Sequence, residues 1–434
     1  MLKLLLEMGK APGAFPFDVQ SSAFDVRCSH THMFDVINNA QQSRVDKLQL
    51  AALACLMLVG VAFVYSATMI GEGAGALPIY DQLWFRQIIW YALGIGGAVA
   101  LCFVDYRALS RFSFLIYWLT IVLLIAVLVP GIGSVRFGAR RWFDLHVFQL
   151  QPSEFAKLAV IFAQAHFLSR PPEELKLPGN FWKSIGLMML PFVFILKEPD
   201  LGSALVLLPT GLAMMFVAGT PRKYLVRLVG GGGLLGVLLL ADVLFAPSHL
   251  RIPIQEYQRQ RLLVYFGTSF ASANATTEDK AKARLTELEK SYQVRQALIA
   301  VGDGGFWGRG WRQGKQTALQ FLPPGAAHND FIFSVIAEEK GFVGSVVVLA
   351  LYAVVLFSGI RIAGQARDRL GKMIAVGVVT LIFSHVFINI GMNIRIVPVT
   401  GIPLPLLSYG GSSVLGSLIA LGMLQNVYMY RKVY

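Results

Sequence analysis

Asp330 stands two residues after His328, where a polar stretch from Pro247 to Asp330 gives way to an apolar run. A carboxylate at such an edge can take the proton from a hydroxyl group as its oxygen attacks an electrophilic carbon. The same aspartate also suits the start of a helix, where Asp is a preferred N-cap and its charge meets the helix dipole. Glu338 and Glu339 follow about two turns further in. Glu338 would face the interior of a helix bundle and needs a partner there, because an ionisable group in an apolar layer is costly unless paired or wetted.

Cationic, aromatic and hydroxyl side chains gather elsewhere along the chain. Arg140, Arg141 and Trp142 precede Gln151-Pro152-Ser153-Glu154 and Lys157. Guanidinium groups bind phosphate bidentately, and Trp142 could pack against a sugar or a prenyl chain. An interfacial Trp/Arg belt at a membrane edge accounts for the same residues, and Gln151 to Glu154 reads as a helix start capped by Ser153. Lys197-Glu198-Pro199-Asp200 sets three charges between two apolar runs, either as working groups or as a Lys–Asp pair that holds a broken helix.

The polar stretch itself contains Tyr257-Gln-Arg-Gln-Arg261 and a glycine-rich run from Gly302 to Gly314. Free N–H groups along such a run could cradle an anion, although glycine-rich turns are also ordinary loop punctuation. Near the C-terminus, Pro398 to Ser413 holds Pro398, Pro403 and Pro405 together with Ser408 and Ser412, and cannot be a regular helix. Non-helical backbone at membrane depth survives only where protein or a wet cavity satisfies it, so this segment is expected to line a cavity.

What must position these groups is a membrane bundle. Of 434 residues 55% are hydrophobic and 15% charged, with mean hydropathy +0.59, too apolar for a water-soluble chain of this length. Apolar runs long enough for a bilayer of about 30 Å recur. Spans are expected near 49–70, 83–104, 112–130, 154–169, 184–198, 202–219, 224–246, 331–358, 373–394 and 404–428. The fold class is all-α and polytopic, with about ten transmembrane helices. The runs at 184–198 and 202–219 are short, and read as helices broken or turned near one face rather than two full crossings.

Lys and Arg fall in alternate loops, among them Arg107 and Arg111, Arg170 and Lys176, Arg222 and Lys223, and Arg367 and Arg369. The positive-inside rule then puts both termini in the cytoplasm and the Pro247–Asp330 loop outside. That loop carries eleven Lys and Arg against seven Asp and Glu, a net charge of +4. Long loops translocate regardless of charge, and positive charge at an outer surface also suits pyrophosphate or anionic headgroups. Within the loop, 276–290 reads as a solvated surface helix with Glu278 and Lys282 at i,i+4 spacing.

Three cysteines give no framework: Cys28 lies near the N-terminus, Cys55 and Cys102 inside apolar spans. No CxxC, HExxH or P-loop occurs, so neither a protein metal cage nor ATP chemistry is indicated. The chain is read as a cytoplasmic extension over 1–47 followed by a transmembrane domain over 48–434.

The motifs together resemble the SEDS family (shape, elongation, division and sporulation), the RodA/FtsW class of bacterial cell-wall polymerases. They are Phe63-Val-Tyr-Ser-Ala-Thr68, Arg141-Trp142 with Gln151-Pro-Ser-Glu-Phe-Ala-Lys157, Lys197-Glu-Pro-Asp-Leu-Gly-Ser-Ala-Leu205, Asn329-Asp-Phe-Ile-Phe333 with Glu338-Glu339, and Pro398 to Ser413. The form Gly304-Gly-Phe-Trp-Gly-Arg-Gly-Trp311 with Gln320-Phe-Leu-Pro323 is more similar to the RodA branch.

The resemblance implies a ten-helix glycosyltransferase of the bacterial cytoplasmic (inner) membrane that polymerises lipid II on its outer side, releasing undecaprenyl pyrophosphate. It maps the family's essential loop aspartate onto Asp330, and other sensitive positions onto Arg141, Trp142, Glu154, Lys157, Lys197 and Asp200. His328, Arg261, Ser408 and Ser412 join these as expected substrate-binding residues, and no protein metal ligand is assigned. Expected partners are lipid II, the growing glycan strand, membrane lipids and a class B penicillin-binding protein, with no nucleic acid. Mg²⁺ or Mn²⁺ held partly by substrate, or Arg and Lys alone, could assist pyrophosphate departure.

The chain departs from the family's usual Leu-Pro-Glu-x-His-Thr-Asp, reading Leu322-Pro-Pro-Gly-Ala-Ala-His-Asn-Asp330, so the loop glutamate is missing. Arg395 stands where glycine is common. Two other functions fit parts of the pattern: a flippase for lipid-linked precursor, and a scaffold that recruits the transpeptidase. A flippase needs polar groups through the full depth, whereas here they gather toward the outer ends of the spans, which favours surface chemistry.

Overall fold

The computed structural model describes residues 45–69, 78–136, 139–145, 149–246, 252, 255–268, 270, 277–319 and 321–431. Most of the 1–47 extension, with Cys28, lies outside the described residues, as do Thr276 and Gln320. With no water in a bilayer core, each span must satisfy its own backbone, which a helix does. The long helices are α1 (Lys47–Thr68), α2 (Leu83–Cys102), α3 (Ser113–Leu128), α4 (Pro152–Leu168), α5 (Pro178–Lys197), α6 (Leu201–Ala218) and α7 (Arg222–Phe245). After them come α8 (Glu256–Phe266), α9 (Thr277–Asp303), α10 (Ile332–Gln365), α11 (Arg369–Asn393) and α12 (Gly411–Met429).

Eight of these (α1, α2, α5, α6, α7, α10, α11 and α12) are long and apolar enough to cross a membrane, and α3 is a shorter apolar helix. With the 17-residue α4, they make a ten-helix bundle, an all-α polytopic membrane fold. Helices α4, α11 and α12 are the most deeply buried, while α7 buries only Leu225 and Val243. Close approach rests on small residues, as in other membrane bundles. A Cβ on Gly94 of α2 would lie 2.4 Å from Leu418 Cδ1 of α12, and one on Gly422 2.6 Å from the Ala98 Cβ.

Aspartates start several spans by accepting a main-chain N–H: Asp46 from Gln49 at 3.2 Å, Asp200 from Ser203 at 3.1 Å, and Asp368 from Gly371 at 2.8 Å. Ser153 is no cap, however. Helix α4 begins one residue earlier, at Pro152 after Gln151, and the Ser153 hydroxyl donates to Asp200 Oδ2 at 3.4 Å. Helices α5 and α6 are 20 and 18 residues long, so they are two full-length helices joined by a three-residue turn rather than the short broken pair expected. Proline N1 positions explain the difference for α5, whose start at Pro178 lies in a more polar stretch than its apolar run.

Helix α10 is interrupted at Gly341, whose backbone (φ 64°, ψ −158°) is not helical. The glycine-rich run packs into this break. Arg309 and Gly310 N–H groups donate to the Glu338 and Glu339 carbonyls (2.9 and 3.1 Å), and Phe342 N–H donates to the Gly305 carbonyl (2.9 Å). A Cβ on Gly308 would sit 2.2 Å from the Glu339 carbonyl oxygen. These N–H groups therefore splice the loop to the broken helix instead of forming an anion cradle.

Glu338 finds the partner it needs in the same loop. It accepts from Gln316 N–H at 2.7 Å and from the Thr317 hydroxyl at 3.3 Å, while Ser66 of α1 donates to Glu339. From Thr277 on, the 276–290 stretch is the first half of the longer helix α9, whose second half buries Ala297 and Ala300. Glu278 and Lys282 pair at 2.9 Å on its exposed side.

Candidate functional site

One end of the bundle carries a small antiparallel sheet, β1 (Ser134–Arg136), β2 (Ala139–Asp144) and β3 (Gln149–Leu150). Here the starts of α2, α4, α6 and α12 converge around a cavity of about 580 Å³. Arg141, Trp142, Glu154, Asp200, Asp330 and Ser412 all line it, although they come from five separate regions of the chain.

The non-helical segment from Arg395 to Gly410 closes one wall. Its carbonyls, which would otherwise be stranded, are met by helix side chains. Asn389 Nδ2 donates to the Ile402 carbonyl at 2.7 Å and Gln87 Nε2 to that of Ser408 at 3.1 Å, with the hydroxyls of Tyr91 and Tyr352 on those of Leu406 and Pro405. This is the protein satisfaction that irregular backbone at membrane depth requires.

Asp330 is not the cap of α10. That position belongs to Phe331, and the helix start is held by Asn393, whose Oδ1 accepts from Ser334 N–H at 3.2 Å and from its hydroxyl at 2.6 Å. Asn389 and Asn393, one turn apart on α11, both donate to the Asp330 main-chain carbonyl (3.0 and 3.1 Å). The backbone is thus pinned while the carboxylate is left to the cavity, and its oxygens accept no hydrogen bond from the described residues. Burial pushes the Asp330 carboxyl up to about 6, against the opposing pull of Arg261 and Arg141 and with a smaller push from Asp200.

Asp200 and Glu154 are engaged. Asp200 accepts from Gln151 Nε2 at 2.9 Å as well as from Ser203 and Ser153. Glu154 pairs with the buried Lys157 at 2.7 Å, and Lys157 Nζ lies 3.0 Å from His385 Nε2. Lys157 therefore sits behind the cavity wall and reaches it through Glu154. Glu198 is fully buried, and neither of its carboxyl oxygens has a hydrogen-bond partner among the described residues. Burial, with the Asp200 charge adding, pushes it up to about 9, so it is neutral at pH 7.

Arg141 is fixed by main chain: its Nε donates to the Glu198 carbonyl at 3.0 Å and a terminal nitrogen to that of Pro199. Its guanidinium lies 5.9 Å from the Trp142 ring centre. Arg261 donates to the Thr400 carbonyl at 3.0 Å. A Cβ built on Gly401 would stand 3.4 Å from Asp330 Oδ2 and 4.0 Å from a terminal nitrogen of Arg261, so both side chains approach the same glycine.

Besides Lys157 behind the wall and Arg261 in a neighbouring space, three expected residues do not line the cavity. Lys197 is exposed, with its ammonium 6.0 Å from the Phe194 ring. It makes no pair with Asp200, because α5 ends at Lys197 and turns its side chain away from the α5–α6 turn. Ser408 is used structurally, donating to the Asn329 carbonyl at 2.5 Å and accepting from Leu404 N–H at 2.8 Å. His328 packs edge-on to Tyr409 at 5.7 Å, and its carbonyl accepts from Tyr409 N–H at 2.9 Å. Conversely, Arg86, Trp90 and Tyr409 line the cavity without having been singled out. The four-residue spacing of Arg86 and Trp90 on α2 puts them on one helix face, a signal hidden by the apolar run around them. Among the described residues, no three His, Cys, Asp or Glu side chains are grouped so as to hold a metal ion.

A family model described as a cell cycle protein, spanning FtsW, RodA and SpoVE, matches residues 46–433. The chain is 35% identical over 392 residues to stage V sporulation protein E of Bacillus subtilis, covering 89% of this chain and 98% of that one. It is 33% identical to peptidoglycan glycosyltransferase MrdB of Escherichia coli K12, covering 89% and 96%. Among solved structures it resembles a chain from work on the structural coordination of polymerization and crosslinking by a peptidoglycan synthase complex. That match has a TM-score of 0.68 at 29% identity and covers 89% of this chain and 98% of the other.

Proposed function

This chain belongs to the FtsW/RodA/SpoVE family, and we propose that it polymerises lipid II with Asp330 as its general base. Its activity is that of a peptidoglycan glycosyltransferase. In the reaction, the GlcNAc 4-hydroxyl of the acceptor attacks C1 of the donor MurNAc. The new O4–C1 bond forms as the bond from C1 to the pyrophosphate oxygen breaks, and undecaprenyl pyrophosphate leaves. The hydroxyl proton passes to the Asp330 carboxylate and from there to water.

One observation carries this assignment. Asp330 is a cavity carboxylate whose oxygens accept no hydrogen bond from the described residues, and burial raises it to about 6. It is therefore ionised at neutral pH, yet more basic than an ordinary aspartate. Arg141, locked on two carbonyls beside Trp142, supplies fixed positive charge for the pyrophosphate. Glu154 with Lys157, and Asp200 with Gln151, Ser153 and Ser203, shape the opposite wall, and Ser412 ties it to β3 by donating to the Gln149 carbonyl at 2.9 Å.

The membrane is the bacterial cytoplasmic membrane, with both termini inside and the sheet end of the bundle outside, a reading supported by the Lys/Arg distribution over the short loops. The partner is a class B penicillin-binding protein that cross-links the strands, in keeping with the synthase complex that the chain resembles. The Gly304 to Trp311 motif supports the elongation branch.

The test uses the purified full-length chain in detergent, labelled lipid II and no other polymerase. A ladder of glycan strands on a gel is expected. Movement of lipid II across vesicles with no strand formed would overturn the polymerase reading in favour of a transporter.

Gly401 offers a graded check. Its φ of +76° disfavours any side chain, and the added methyl of Gly401→Ala would stand in contact with the Asp330 carboxylate. Strain of about 1–2 kcal/mol should lower the melting temperature. Polymerisation should fall by about tenfold, because relieving that strain shifts the segment beside Asp330, and a small misplacement of a catalytic group is costly.

A further inference from the structure

Among the described residues, helix α7 is anchored to the bundle at its two ends. Leu225 is buried near its start, with Tyr224 and Leu228 packed on the core, and Val243 is buried near its end. Between them every residue from Val229 to Leu238 is exposed, on all faces of the helix. The glycines of this stretch make no close approach either: a Cβ on any of Gly230 to Gly233, or on Gly236, would meet nothing within 4 Å. A span that merely faces lipid is exposed along one side. The two anchors stand about 27 Å apart along the helix axis, close to the thickness of a bilayer's hydrocarbon layer. The bundle-facing side of α7 is therefore open through the depth where acyl chains lie.

The charge lies at one end of this opening. Helix α6 runs from the cavity to Ala218, so α7 starts at the opposite end of the bundle, beside the start of α5. The Phe181 and Tyr224 rings meet there, 5.2 Å apart. Lys223 Nζ lies 5.1 Å from the Tyr224 ring centre, and Arg227 follows one turn on, on the same side of α7. Both cations are exposed, and among the described residues neither forms an ion pair or a hydrogen bond. Other cations at this end are committed: Arg107 to Asp368 at 2.7 Å, Arg361 to Asp46, and Arg369 to the Ala218 carbonyl at 2.9 Å. Trp182, next to Phe181, is 64% exposed, an amphipathic ring at the level of the headgroups.

These features select a ligand. A soluble phosphate would use the cations but leave the gap beside α7 unfilled, and an uncharged lipid would fill the gap but leave the cations unpaired. An anionic lipid does both, since its phosphate meets the cations where its chains enter the apolar layer. We propose that the start of α5 and the length of α7 bind one anionic phospholipid, with its headgroup phosphate on Lys223 and Arg227 and its acyl chains between α7 and the bundle. This site is at the other end of the bundle from the reacting cavity and does not depend on the polymerase reading. Only the leaflet depends on the orientation given above, which makes it the cytoplasmic one.

The test uses the full-length chain in detergent, titrated with phosphatidylglycerol or phosphatidylcholine. Bound lipid is counted by native mass spectrometry, and the melting temperature is read in parallel. Wild type should bind phosphatidylglycerol about tenfold more tightly than phosphatidylcholine, and its melting temperature should rise as phosphatidylglycerol is added. The double variant Lys223→Gln, Arg227→Gln should lose about tenfold or more of that affinity while melting as wild type does without added lipid. A control, Arg367→Gln with Lys372→Gln, removes two other cations and should bind phosphatidylglycerol as wild type does.

Equal binding of the two lipids by wild type would overturn the proposal. So would equal losses in the two double variants, which would show a general attraction to a basic surface. Displacement of phosphatidylglycerol by soluble glycerol phosphate would remove the role given to the acyl chains, and displacement by undecaprenyl phosphate at equal concentration would assign the gap to a single-chain prenyl lipid; either result contradicts the phospholipid site. Binding is read without lipid II, so a chain that forms no glycan strands would overturn the polymerase reading and leave this one standing.

Discussion

Asp330→Asn is expected to lower glycan polymerisation by about 10²- to 10⁴-fold, the range for loss of a general base, while the protein remains folded. The variant keeps its place because Asn389 and Asn393 hold the main-chain carbonyl of residue 330, not its side chain. The carboxylate accepts no hydrogen bond from the described residues, so the amide strands no donor. The effect on stability has a definite sign. Burial raises the Asp330 carboxyl from 3.8 to about 6, so between those values the folded chain holds a proton that the unfolded chain has lost. Ionisation then costs the folded state stability as pH rises, and a neutral amide removes that cost. At pH 7 the melting temperature of Asp330→Asn should match or exceed that of wild type, which separates loss of chemistry from loss of fold.

Lys157→Met should be the most destabilising single substitution at the site. Lys157 and Glu154 are 1% and 5% exposed and pair at 2.7 Å, with His385 Nε2 3.0 Å from the ammonium. Removing the ammonium leaves a carboxylate buried without its cation, a loss of about 3–5 kcal/mol. The pair is not expected to stabilise the fold strongly against an apolar replacement, because desolvation offsets most of the Coulombic gain. The double variant Glu154→Gln, Lys157→Met should therefore recover most of the lost melting temperature. Its polymerisation should stay below wild type, since Glu154 lines the cavity. A double variant as unstable as the single one would show that packing, not charge, sets the cost.

The bundle was legible because membrane spans are written in length and apolarity alone, and all ten expected spans correspond to helices. What went unread depends on contacts between distant residues. Asn389 and Asn393 look like two polar residues in an apolar run, and only their approach to Asp330, some sixty positions away, gives them a purpose. The break at Gly341 is invisible because glycine is common in membrane helices, and it is the glycine-rich loop docking there that makes it necessary. Glu338 was readable as a residue that needs a partner, though the partner lay in that same loop.

Local patterns also misled where one residue type suits two places. Asp330 has the type of an N-cap, yet α10 starts after Phe331 with Asn393 serving its first turn. Ser153 follows the capping preference, but proline at 152 had already begun the helix. Lys197 belongs to a charged cluster in sequence, and the end of α5 directs it away from the cavity.

The central claim is that the Asp330 carboxylate, in its ionised form, takes the acceptor's proton. It is tested most directly by the pH dependence of kcat/KM for lipid II in wild type and in the residual activity of Asp330→Asn. Below about pH 6 the carboxyl is protonated and cannot serve as a base, so the wild-type value should rise about tenfold per pH unit up to about 6 and level off above it. The residual activity of Asp330→Asn should lack that limb. The same limb in Asp330→Asn would assign the titration to another group and contradict the account.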